Sequence, residues 1–147
     1  MAEKIPNTIS LVLPAYLTAL VLAITLGLVS ASQRGKWADK VIDAFASVGI
    51  AVPTFWFAMI LIYFFGYKWR VFPFIGMYTL GKEGDVLDFL AHFALPYLTL
   101  TMAFLPELIR FIRASAIVEV EKDYVTVQEA FKAKRFEIFG KHVARNV

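Results

Sequence analysis

The sequence predicts an all-α membrane protein, with three transmembrane helices followed by a cytoplasmic tail of amphipathic helices. Hydrophobic residues make up 59% of the chain and charged residues 18%, at a mean hydropathy of +0.65, an apolar balance beyond that of an ordinary soluble domain. Three long runs carry little or no charge, each able to cross roughly 30 Å of hydrocarbon as a helix. After the third run the pattern changes to charged and apolar residues alternating at helical spacing. These observations divide the chain into a three-span portion, 1–112, and a cytoplasmic portion, 113–147.

The first span covers about 9–31, a stretch without a charged residue. Pro14 lies in its opening turns and predicts a kink or a late helix start, since a membrane helix tolerates proline when neighbours re-satisfy the freed carbonyl. A cleavable signal peptide is excluded by length, its apolar region being about 7–15 residues, and by the weakly basic flank. Residues 32–43, with Arg34, Lys36, Asp39 and Lys40 around Gly35, read as a polar connector with a basic bias, facing the cytoplasm.

The second span covers about 44–67. Pro53 lies inside it as a break or kink, and its aromatic residues, with Tyr67 and Trp69 at its end, read as a headgroup belt rather than as stacking groups for a substrate. The loop Lys68–Asp88 balances Lys68, Arg70 and Lys82 with Glu83, Asp85 and Asp88, which places it outside the cytoplasm. The third span covers about 89–112 with Pro96 and Pro106. Its His92 reads as an interfacial residue rather than a proton relay. Glu107 is spaced to pair with Arg110 at i,i+3.

Lysine and arginine number one before the first span, three in the 32–43 connector, three in the 68–88 loop and eight from Arg110 onward. The tail is therefore inside, and three spans put the amino terminus outside. Such a start so close to the first span implies a preceding span, and so a chain that is a piece of something longer. The net charge of +3 is topological. Its basic residues flank spans instead of forming a stripe with interleaved aromatics, so no nucleic-acid partner is expected.

The absence of cysteine excludes disulfides and thiolate metal sites, and two histidines, His92 and His142, argue against a protein-only zinc site. No cofactor is expected. The chain lacks a glycine-rich phosphate loop, a Ser/His pair and a carboxylate pair within the spans, all of which speaks against an enzyme.

In the tail, Ile109, Ile112, Ala116 and Val120 carry the third helix onward. Asp123 is a candidate N-cap for a short helix with Val127, Ala130 and Phe131 on one side, and Phe136, Phe139 and Val143 mark another. Two such helices make either a docking surface or a pair lying on membrane lipid.

Several motifs in order resemble one family: Ile5-Pro-Asn-Thr8, Gln33-Arg-Gly-Lys-Trp37, Val52-Pro-Thr-Phe-Trp56, Val71-Phe-Pro-Phe-Ile-Gly76, Leu95-Pro-Tyr-Leu-Thr-Leu100, Arg110-Phe-Ile-Arg113, Glu119-Val120, Asp123-Tyr-Val125 and His142-Val-Ala-Arg-Asn146. The chain resembles, over nearly its whole length, the inner-membrane permeases of peptide and nickel ABC importers, specifically the B-type oligopeptide/dipeptide half-permease.

The resemblance implies a permease subunit of an ATP-driven peptide importer in the bacterial inner membrane. Its partners would be a second homologous half-permease, ATP-binding subunits, and an extracytoplasmic substrate-binding protein, for which the Lys68–Asp88 loop is either a docking surface or a plain solvated connector. It also implies that Asp123–Asn146 is the coupling loop, whose short helix enters a cleft on the ATPase. Tyr124, Val125, Val127, Ala130 and Phe131 would supply packing there, and Thr126, Gln128 and Glu129 polar edges. Lys132 stands where the family has a glycine, at the turn between the two short helices. A lysine there costs on the order of 1 kcal/mol or forces a different turn.

The family also continues past the position of Val147, so the resemblance covers the middle of a permease. The alternatives are a truncated, non-transporting or regulatory membrane protein, and a permease for nickel or another small solute.

Overall fold

The structure, a computed structural model, describes residues 4–122, with the side chains described from residue 5. The order is α1 (Lys4–Ser32), α2 (Trp37–Ala51), α3 (Thr54–Leu61), a π-helical turn (Ile62–Lys68) and α4 (Val86–Val120). Among the described residues there is no strand, and the all-α class holds. α1 and α4 are each long and apolar enough to cross a membrane, and α2 with the helix after it counts as a third crossing if the broken pair is one span.

Two expectations are corrected. α1 begins at Lys4 and runs through Pro14 without interruption, so there is no late start. Pro14 thus lies inside α1, and the carbonyl that it frees is one that a membrane helix can satisfy from its neighbours. The polar connector is also shorter than 32–43, because α2 starts at Trp37. Gly35 sits at φ +81 in the tight turn between α1 and α2, a conformation glycine adopts at no steric cost.

The chain forms two compact units, one of described residues 4–18 with 51–104 and the other of 19–50 with 105–122. In the second unit α1 presents Ala19, Ala23, Gly27 and Ala31 at a spacing of four, with the three alanines buried. Small side chains in one row let membrane helices approach closely, which is how they gain dispersion contact when lipid offers no hydrophobic drive. A Cβ added to Gly27 would stand 2.7 Å from Cγ2 of Ile112 on α4. Ile109, Ile112 and Ala116 form the buried stripe of α4 in this unit. α2 packs on α4 in the antiparallel sense, with Gly49 against the Pro106 ring and Ser47 bonded to Arg110.

In the first unit Ala15 and Leu95 are buried, Tyr16 meets Phe104 edge-on at 5.5 Å, and the Thr18 and Tyr97 hydroxyls share a hydrogen bond of 2.6 Å. The π-helical turn closes with the Trp69 amide donating to the Phe64 carbonyl at 2.9 Å. Gly66 leaves room for the Phe74 ring, which a Cβ would approach to 2.6 Å. The loop to α4 is irregular, and Arg70 lies at φ 53, a left-handed conformation that costs a non-glycine residue roughly 1–2 kcal/mol.

Candidate functional site

Asp39 stands in the first turn of α2, ahead of the apolar run 44–67, and its residue is 4% exposed. Arg113 of α4 reaches it with two parallel bonds, Nε to Oδ1 at 2.7 Å and Nη2 to Oδ2 at 3.0 Å. This fork-on-carboxylate geometry fixes direction as well as charge.

The Ser30 hydroxyl of α1 donates to the same Oδ1 at 2.6 Å, and the Gly35 amide donates to Oδ2 at 2.9 Å. Arg113 Nε also lies 3.0 Å from Ser30 Oγ. One carboxylate thus joins α1, the turn after it, α2 and α4. Four donated hydrogen bonds, two from Arg113 and one each from Ser30 and Gly35, meet the Asp39 carboxylate and compensate its burial.

Flanking ties connect the same elements. Arg110 Nη2 donates to Ser47 Oγ at 3.1 Å, and Arg34 pairs with Glu121 at 3.0 Å on the surface. The expected Glu107–Arg110 pair does not form, because the Arg110 side chain reaches across to α2 instead of along its own helix. Reading Asp39 as one charge of a solvated connector is likewise corrected: the helix start at Trp37 turns it inward.

A second polar group lies in the first unit. His92 is buried, and its Nδ1 is 2.8 Å from the Asp88 carbonyl and 3.5 Å from the Asp88 carboxylate. That carboxylate accepts from the Thr79 amide and hydroxyl at 2.6 and 2.7 Å, which anchors the loop to the start of α4. His92 therefore serves the packing of its own helix end.

His92 lines a cavity of about 460 Å³ with Asn7, Ser10, Met77 and Phe93, and a wider one of about 800 Å³ with Arg70 and Tyr78. Among the described residues no group of three His, Cys, Asp or Glu is placed to hold a metal. Tyr67 stacks on Tyr63 at 6.2 Å and Trp69 packs edge-on against Phe65 at 5.1 Å, so these rings engage one another.

The residues expected to contact an ATPase, Tyr124, Val125, Thr126, Gln128, Glu129, Ala130, Phe131 and Lys132, lie outside the described residues, as do Asp123 and the second tail helix. α4 leads toward them and ends at Val120. The sequence reading missed the Ser30–Asp39–Arg113 cluster and the small-residue row of α1. The four-residue spacing of Ala15, Ala19, Ala23, Gly27 and Ala31 was the available signal for the row.

Long apolar helices with a charged cluster buried among three of them define a polytopic helical membrane protein. Residues 23–147 match the model of the binding-protein-dependent transport system inner membrane component, and the chain belongs to that family.

Among curated proteins, the peptide transport system permease protein SapB of Salmonella typhimurium is 29% identical, covering 99% of this chain and 52% of its own length. The oligopeptide transport system permease protein AppB of Bacillus subtilis is 32% identical, covering 97% of this chain and 45% of its own. The putrescine export system permease protein SapB of Escherichia coli is 28% identical, with coverages of 99% and 52%. The chain spans about half the length of these curated relatives.

Proposed function

We propose that this chain forms part of the permease of an ATP-driven importer for peptides in the bacterial inner membrane. The family match over 23–147 is the observation that carries this reading. The peptide and oligopeptide transport for which the Salmonella typhimurium SapB and Bacillus subtilis AppB relatives are named supports peptides as the substrate class.

The length of α4 supports the mechanical part. Its 35 residues extend about 52 Å at 1.5 Å per residue, against roughly 30 Å of hydrocarbon. The surplus is a stalk long enough to carry the segment beyond 120 out of the bilayer. In this reading the tail 113–147 is cytoplasmic. Tyr124, Val125, Ala130 and Phe131 pack into the ATP-binding subunit, Thr126, Gln128 and Glu129 edge the contact, and Lys132 sits at the turn that follows. Closure of the ATP-binding subunits then tilts α4. Nucleotide binds those subunits and not this chain. A second half-permease completes the path, and a binding protein delivers cargo to the loop Lys68–Asp88.

The test is Phe131→Asp in the transporter assembled with its partners. Loss of ATP-driven peptide uptake with normal membrane insertion is the expected result, and normal uptake removes the coupling assignment. The putrescine export relative favours one second reading, a polyamine cargo. Uptake or efflux of labelled putrescine, with none of labelled peptides, selects it.

A further inference from the structure

The buried cluster of α1, α2 and α4 has more direction built into it than stability requires. The Asp39 carboxylate is buried and the Arg113 side chain half-buried, and such a pair gains little net stability over apolar side chains of the same volume, because its Coulomb attraction goes largely to offset desolvation. Apolar rows of Ala, Gly and Ile already pack this unit. What the pair adds is a fixed rotation and register. The Arg113 fork must meet both Asp39 oxygens, and Ser30 and Gly35 hold that carboxylate from the α1 side. Sliding α4 by one turn, or rotating it, breaks the bonds together.

The cluster's position along α4 gives this rigidity a use. Arg113 is seven residues before the end of α4 at Val120, about 10 Å along the axis. Arg110–Ser47 lies one turn earlier and Arg34–Glu121 just beyond the helix end. The exposed outer pair contributes little by itself, so the buried pair is the point at which α4 is held.

We propose that Asp39 and Arg113, with Ser30, form a force-bearing strut: they lock α4 to the end of α1 and the start of α2, so that displacement of the segment beyond residue 120 moves the parts of these helices within the second unit, 19–50 and 105–120, together. Asp39 and Arg113 act as positioning residues, through the helices that they join. The transport part of this inference rests on the importer reading.

The decisive variant replaces the pair with apolar side chains, Asp39→Leu with Arg113→Met, in the complete transporter reconstituted in liposomes with its ATP-binding subunits and binding protein. Thermal stability in detergent, ATP hydrolysis and uptake of a labelled peptide are measured together. A strut predicts wild-type stability and hydrolysis with uptake per ATP reduced at least tenfold. Unchanged uptake per ATP in that variant overturns the strut.

Where the double variant fails to fold, Arg113→Lys serves instead. It keeps the charge and loses the fork, and the strut predicts a severalfold fall in uptake per ATP with hydrolysis intact. An unchanged ratio again overturns it.

A second readout is independent of transport. The sequence has no cysteine, so Val41→Cys with Val118→Cys, both at exposed positions, accepts one spin label on α2 and one on α4. The strut predicts a single narrow distance distribution that broadens in Arg113→Lys. An equally narrow distribution in both removes the strut. A wild type that shows the narrow distribution and moves no peptide refutes the importer reading and leaves the strut standing.

Discussion

Replacing Gly49 with alanine tests the α2–α4 contact most sharply, because helix propensity and packing oppose each other there. In an open helix the change stabilises by roughly 0.5–1 kcal/mol. Here the added Cβ would lie 3.0 Å from Pro106 Cβ and closer still to the ring Cγ, whereas carbon atoms rest at about 3.5–4.0 Å. The Pro106 ring is fully buried and covalently closed, so no rotamer change relieves the contact and the two helices must part by a substantial fraction of an ångström.

Overpacking of this kind costs about 1–3 kcal/mol, which outweighs the propensity gain. We expect Gly49→Ala to destabilise by about 1–2 kcal/mol net. Equilibrium unfolding in mixed micelles, followed through Trp37, Trp56 and Trp69, measures it. In a Pro106→Ala background the ring Cγ is gone, and Gly49→Ala should fall to near neutral or become stabilising. Equal stabilisation in both backgrounds would mean that α2 and α4 do not meet at these residues, and would refute the packing described.

Asp39→Ala leaves the half-buried Arg113 guanidinium and the buried Ser30 hydroxyl without that acceptor and should cost about 1–3 kcal/mol in the same unfolding assay, whereas Arg34→Ala, at an exposed pair, should change stability by about 0–1 kcal/mol. Tyr97→Phe combined with Thr18→Val in a double-mutant cycle should return about 0.6 kcal/mol for their hydroxyl pair, and a coupling of zero would show that the 2.6 Å bond does not contribute.

The helical class was legible because apolar runs of span length have few other solutions in a bilayer, and Pro53 marked the break between α2 and α3 for its own covalent reason. The packing faces were not legible. A continuous apolar run contains no polar alternation to show which side is buried, so the row from Ala15 to Ala31 was hidden in composition until α4 was seen against it.

Asp39 was misread because a single acid among Arg34, Lys36 and Lys40 looks solvated, and its partner lies 74 residues away. Local spacing predicted Glu107–Arg110, but the side chain of Arg110 found Ser47 across the helix pair. Residues 124–132, proposed to contact an ATPase, lie outside the described residues, and that proposal rests on the resemblance.

In the proposed function this chain forms part of a permease that carries peptides across a membrane, driven by ATP through the segment beyond α4. The most direct measurement is uptake of a labelled peptide by liposomes containing the assembled transporter, with ATP present or absent, for wild type and Phe131→Asp. The expected result is uptake that requires ATP in the wild type and fails in the variant, while the variant still inserts. Wild-type uptake that proceeds without ATP, or that survives Phe131→Asp unchanged, would contradict it.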